Sequence, residues 1–219
     1  MSTTSQLIAK YLDIYKKATE HQLTKDLCQG ILSDKRLFVY FTQDLNFFEV
    51  GLRLICKITS LAPDTYPLIT LARKIGFFAN DENTYFQNCL VLLKENLSDE
   101  DIIKYGDKTG SLPGVKPYVD FLKEMIDSTK FTYAQLITYL WVCEAIYLKW
   151  AHDLPRNENL HWKYQTWIDL HDGAHFIEWV DFLRKEVDKF SMAEVENMFV
   201  KIVKLDPGFW SPQNHSFQH

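Results

Sequence analysis

Three acids stand at positions where an acid needs a reason. Asp44 lies in FVYFTQDLNFFEVGL, with Tyr40 and Phe41 one helical turn before it and Phe47 and Phe48 one turn after it. Aromatic stripes at helical spacing usually form core, and an acid inside one must find a donor. A flat heteroaromatic ligand would also supply one, its ring stacked on the aromatics and its N–H groups on the carboxylate. Glu144 lies in AQLITYLWVCEAIYLKW, Ala134 to Trp150, which is apolar nearly all round and therefore reads as a central buried helix. A buried carboxylate either pairs with a Lys or Arg, points to a rim, or serves as a pocket acid with a raised pKa. Cys143 and Tyr147 are four apart and share a face, and Glu144 and Tyr147 are three apart. A lone buried cysteine by itself reads as a small hydrophobe. Asp206, in KLDPGFWSP, precedes Pro207 and reads as an N-cap followed by a first-turn proline, with Phe209 and Trp210 anchoring a short terminal turn.

Other chemistries find less support. His171 and His175 have the spacing of a metal pair, but Gly173 between them signals a turn and no Glu or Cys completes the set. The four cysteines, Cys28, Cys56, Cys89 and Cys143, form no CxxC pair, so neither a zinc site nor a disulfide framework is indicated. No GxSxG, P-loop or GxGxxG occurs. No cofactor and no metal is called for. A net charge of −5 with scattered lysines gives no basic face for nucleic acid or anionic lipid. The start, Met1 to Gln6, lacks an apolar signal core, and the most apolar stretch, Leu136 to Leu148, is too short for a bilayer and contains a glutamate. Cytoplasm is the expected compartment, one in which four thiols stay reduced.

The elements that must hold these residues are helical throughout, with no alternating strand. Periodicity predicts a helix from Thr4 to His21, a short one after Thr24, and a long one capped by Ser33 or Asp34 and running to Leu61. Pro63 and Pro67 break the chain before a helix over Leu68 to Phe78; Asn80 to Glu82 turn, and helix resumes to Asn96. Gly106 to Pro117, rich in Gly and Pro, is the clearest loop; it reads as a domain boundary or, better, as a surface loop inside one bundle. Helices follow over Tyr118 to Ile126, Thr132 to His152, Glu158 to Leu170, Ala174 to Lys189 and Met192 to Leu205, with a frayed polar tail from Ser211 to His219. A single all-α domain over 1–219, a compact multi-helix bundle, is the expected architecture. Trp162, Trp167 and Trp179 are expected to be exposed and could serve an interface.

Five segments in this order resemble the TenA family of thiamin-salvage proteins, which have the haem-oxygenase-like helical fold. ATEHQLTKDLCQGILSDKRLFVYFTQDLNFF is similar to the family's opening, a His before a turn and a helix carrying "QD" with aromatics. PYVDFL resembles its "aYxxyL" helix, CEAIYLKWA the helix with the active-site Cys or Glu, YQTWIDLHDGAHF the "YxxWIxxYxxxxF" motif, and LDPGFW the closing "lExxFW". Nearly the whole chain is covered. Against the family pattern, His171 stands at a usual tyrosine, Asp206 at a usual glutamate, Cys143 lacks an "LPC" setting, and Pro207 with Gly208 should interrupt the final helix.

The resemblance implies hydrolysis of the C–N bond at the aminomethyl carbon of an aminopyrimidine, giving hydroxymethylpyrimidine. One branch of the family uses a cysteine nucleophile; another carries a glutamate and takes aminomethyl- or formylaminomethyl-pyrimidines. By this resemblance Asp44 binds the pyrimidine nitrogens, Phe47 stacks on the ring, and Tyr118, Tyr147 and His171 line the pocket. Cys143 falls at the nucleophile, Glu144 at the acid of the glutamate branch, and Asp206 at the proton donor. The implied partners are a small aminopyrimidine and further copies of the chain, as a dimer or tetramer. The alternative is a catalytically degenerate pyrimidine-binding or regulatory protein of thiamin metabolism.

Overall fold

The computed structural model describes residues 1–107 and 109–210, the side chains of 208–210 excepted, so the expected fraying of Ser211 to His219 lies outside the described residues. In chain order the helices are α1 (Thr3–Lys10), α2 (Leu12–Thr19), α3 (Gln22–Gln29), α4 (Asp34–Ser60), α5 (Thr65–Phe77), α6 (Asn83–Lys94) and α7 (Asp99–Tyr105). They continue with α8 (Lys116–Asp127), α9 (Tyr133–Asp153), α10 (Trp162–Leu170), α11 (Ala174–Val187) and α12 (Met192–Trp210). All regular structure among the described residues is helical, and none of the helices is long and apolar enough to cross a membrane.

The chain groups into two compact units. Met1–Gly30 and Ser128–Pro207 form the first, and Ile31–Asp127 form the bulk of the second. The Gly106 to Pro117 loop therefore lies inside a unit rather than at a boundary. One division falls at Gly30, which ends α3 in the left-handed region with φ 68°. A Cβ there would also lie 2.7 Å from a Leu160 methyl, so both backbone conformation and packing call for glycine.

α9 is the centre of the first unit, with α2, α3 and α11 against it, α10 on α3, and α1 on α2 and α11. Its start is a capping box: Thr132 Oγ1 accepts from the Gln135 amide at 3.3 Å, and Gln135 Oε1 accepts from the Thr132 amide at 3.0 Å. Such a cap contributes about 1 kcal/mol. Beyond it Leu136 to Tyr147 are all buried, so burial on every face, rather than an amphipathic stripe, defines the helix. α4 is the centre of the second unit, with α5, α6, α7 and α8 against it. Ser33 caps it, its Oγ accepting from the Arg36 amide at 3.3 Å.

Several expectations are corrected. The first predicted helix is two: Tyr11 leaves helical geometry at φ −116°, ψ 29°. Its hydroxyl donates to Glu196 Oε1 at 2.9 Å and its ring lies 6.0 Å from Phe199, so contacts with α12 override local propensity. Pro67 does not break the chain before a helix; it occupies the first turn of α5, where its missing N–H costs nothing. Phe78 to Glu82 form a π-helical turn joining α5 to α6 in place of a loop. The seven residues of α7, capped by Ser98, were too short for periodicity to reveal. α12 passes through Pro207 to Trp210, so Asp206 is inside a helix and caps nothing. A proline near a helix end removes one hydrogen bond with little chain beyond it to displace. Trp167 and Trp179 are core residues of the first unit, and only Trp162 of the three is exposed.

Candidate functional site

In the second unit α4 carries Asp44 and Phe47, and α8 carries Tyr118. All three are buried, Asp44 to 3% exposure. Phe47 and Tyr118 meet edge to face with ring centroids 4.8 Å apart. The aromatic stripe around Asp44 is thus split by the helix turn. Phe47 faces α8, while Phe41 meets Tyr85 at 5.4 Å and Phe48 meets Phe86 at 5.5 Å on α6. Asp44 is close enough to Tyr85 to act on it. The Tyr85 phenol is pushed well above its ordinary pKa, first by burial and then by Cys89, Tyr40 and the Asp44 charge. Tyr85 therefore stays protonated beside the acid.

Gln43, one residue before Asp44, was not singled out by the sequence and has a clear task. Its buried amide bonds the 106–115 loop twice: Nε2 donates to the Gly110 carbonyl at 3.2 Å, and Oε1 accepts from the Leu112 amide at 2.8 Å. Asn46 adds a bond from Nδ2 to Ser111 Oγ at 2.9 Å. The glycine-rich loop is thereby clamped to the helical turn that carries Asp44 and Phe47.

In the first unit α9 carries Cys143, Glu144 and Tyr147, with Cys143 at 7% and Glu144 at 8% exposure. One turn earlier, Tyr139 is buried, and its phenol is pushed far up by burial first and then by Cys143 and Glu144. Tyr139 is a neighbour of this pair that the sequence reading missed. Its position four before Cys143 was the available signal. Tyr147 lies 4.6 Å from His171, ring to ring, at the end of α10. His171 Nδ1 is 2.9 Å from the Trp167 carbonyl. A carbonyl only accepts, so Nδ1 carries the hydrogen.

The turn after His171 is pinned by ions. Asp172 pairs with Arg156, and its Oδ1 lies 2.8 Å from His152 Nδ1; Arg156 also donates to the Ala151 carbonyl at 2.7 Å. Gly173, at φ 148°, then opens α11, so His171 and His175 lie on opposite sides of a turn. Among the described residues no three His, Cys, Asp or Glu side chains group as a metal cage. Fully buried Trp150, whose ring centroid is 6.0 Å from Tyr147 and 6.1 Å from His171, has an indole N–H with no acceptor among the described residues. Asp206, at 2% exposure on α12, acts on Tyr15, whose phenol is raised by burial first and then by Asp206 and Asp153.

The structure thus places Asp44, Phe47 and Tyr118 in one unit, and Cys143, Glu144, Tyr147, His171 and Asp206 in the other, all of them buried. No curated protein matches the sequence significantly. Solved structures do. A TenA homologue from P. horikoshii OT3 is 25% identical with a TM-score of 0.72, over 97% of this chain and 98% of that one. A Sulfolobus solfataricus protein described as a candidate TenA-like thiaminase is 16% identical with a TM-score of 0.72, over 99% and 97%. A TenA family transcription regulator from a Silicibacter species is 16% identical with a TM-score of 0.75, over 97% and 96%. The chain has the all-α, haem-oxygenase-like fold of these homologues. Residues 8–215 match the model of the TENA/THI-4/PQQC family, and the chain is a member of that family.

Proposed function

We propose that the protein hydrolyses the C–N bond of an aminomethyl- or formylaminomethyl-aminopyrimidine, releasing hydroxymethylpyrimidine. Family membership supports a thiamin-related function. The observation that carries the finer reading is Glu144 and Cys143 side by side on α9, nearly dry, against a tyrosine held in its protonated form. A dehydrated acid beside neutral donors is suited to moving a proton near neutral pH.

In this reading Asp44 accepts the N–H groups of the aminopyrimidine, and Phe47 and Tyr118 give its ring apolar contact. Glu144 takes a proton from water as the water oxygen bonds to the methylene carbon. The C–N bond breaks with its electron pair going to nitrogen. Asp206 supplies the proton that lets ammonia, or formamide from the formyl substrate, depart. In the cysteine variant of the reaction the Cys143 sulfur first replaces nitrogen on carbon, and water then replaces sulfur. Tyr147 and His171 bound the reacting end.

Incubation of the folded protein with each pyrimidine tests the proposal, and hydroxymethylpyrimidine with one equivalent of ammonia or formamide is expected. No product at enzyme concentrations matching substrate would reject it. A second reading, a binder without turnover, is favoured by the imidazole of His171, which brings no phenol to the ring of Tyr147. Thermal stabilisation by the pyrimidine with no product would establish that reading instead. The Silicibacter relative is described as a transcription regulator, which is compatible with it.

A further inference from the structure

Between α4 and α6, within the second unit, lies a cavity of about 200 Å³. Phe38, Leu45 and Leu90 give it apolar walls, and Thr42, Gln87 and Lys94 give it polar ones. The spacing is regular: Phe38, Thr42 and Leu45 form one stripe of α4, and Gln87, Leu90 and Lys94 one stripe of α6. Neither Asp44 nor Phe47 borders it.

Thr42 is the unusual member. It is 2% exposed, and its hydroxyl has no hydrogen-bond partner. The other buried helical threonines commit their hydroxyls: Thr19 to the Tyr15 carbonyl at 3.2 Å, Thr59 to Ile55 at 2.7 Å, Thr138 to Ala134 at 2.7 Å, Thr24 to His21 at 2.8 Å, and Thr4 with Ser2 Oγ at 3.1 Å. Thr42 makes no such bond and keeps a buried donor and acceptor uncommitted, a cost that folding alone does not explain. At the rim, Lys94 pairs with no carboxylate among the described residues. Among acids of the same unit, Asp34 accepts from Asn96 at 2.8 Å and Asp101 pairs with Lys35 at 2.6 Å.

We propose that this cavity binds a short aliphatic hydroxycarboxylate. The carboxylate pairs with Lys94 and accepts from the Gln87 amide, the ligand hydroxyl meets Thr42, and the chain fills the space along Phe38, Leu45 and Leu90. At interior packing density the cavity holds about nine non-hydrogen atoms. 3-Hydroxyhexanoate has that size and is the probe.

Titration of the full chain with 3-hydroxyhexanoate, hexanoate and hexanol, followed by calorimetry and by thermal stabilisation, tests this. 3-Hydroxyhexanoate should bind about five- to tenfold more tightly than hexanoate, and hexanol more weakly still. Lys94→Glu, an exposed change, should weaken both acids at least about tenfold. Thr42→Val, which keeps side-chain shape, should remove the preference for the hydroxy acid and, without ligand, raise Tm because the uncommitted hydroxyl is gone. That last readout holds whatever the affinity. The proposal is overturned if no acid binds up to about 10 mM, if Lys94→Glu leaves binding unchanged, or if hexanoate and 3-hydroxyhexanoate bind alike to the parent chain.

Discussion

Cys143 and Glu144 are consecutive on α9, so their side chains leave the helix about 100° apart and cannot address one reacting carbon equally. Tyr139, one turn earlier, feels both, its phenol raised by burial first and then by Cys143 and Glu144. If water is the nucleophile, Glu144 carries the proton transfer and Cys143 is packing. Glu144→Gln should then lower the single-turnover rate by about 10²- to 10⁴-fold with pyrimidine affinity little changed. Cys143→Ala should stay within about tenfold of the parent, as expected for loss of a small buried group. The opposite ranking, with a covalent thioether detected by mass spectrometry, would transfer the nucleophilic role to the thiol.

At the scale of elements, what positions the acid-bearing turn of α4 is a bond pair that joins residues 67 and 69 positions apart, from Gln43 to Gly110 and Leu112. Gln43→Met keeps volume and removes both bonds, leaving the part-buried Gly110 carbonyl and Leu112 amide without this partner. It should cost about 1–3 kcal/mol, lowering Tm by about 2–4 °C for each kcal/mol in a chain of this length. Exchange of the Leu112 amide hydrogen should accelerate at least about tenfold; unchanged exchange would show that the loop is held by something else. Such a clamp is invisible in a sequence because nothing local to Gln43 says which carbonyl it will meet. The same limit explains the break at Tyr11, which depends on Glu196 and Phe199, and the burial of Trp167 and Trp179. α4 and α9 were legible because their signals are local, a serine or threonine cap followed by many turns of apolar residues. Asp44 and Glu144 were legible for the converse reason: each is an acid in a stretch otherwise suited to the interior, and both are buried. Asp206 misled because Asp-Pro is a strong local cap signal, yet the preceding turns of α12 carry the helix through it.

The chain as a whole stores protons in its interior. Cys28 is fully buried at the end of α3, and its thiol is pushed up to about 11 by burial, with Arg156 opposing. Tyr15 and Tyr139 in the same unit, and Tyr85 in the other, are raised in the same way and also chiefly by burial. In the unfolded chain these groups ionise near their ordinary values, about 8.5–9 for the thiol and about 10 for the phenols. Between those values and the folded ones the native state holds protons that the unfolded state has released, so stability falls as pH rises. Lys10 and Lys35, raised first by their hydrogen bonds to Glu196 and Asp101, act with the same sign at still higher pH. The net charge of −5 at neutrality grows as they titrate, adding self-repulsion. Denaturant midpoints should therefore be flat from about pH 7 to 8.5 as far as these groups are concerned, and decline above about pH 9, with stability falling by roughly 1.4 kcal/mol per pH unit for the buried Cys28 thiol and for each buried phenol in its window. Cys28→Ala removes one of these groups and should make the decline between about pH 9 and 10 shallower. A decline between about pH 9 and 10 that is equally steep in that variant would mean that the Cys28 thiol does not give way in this window.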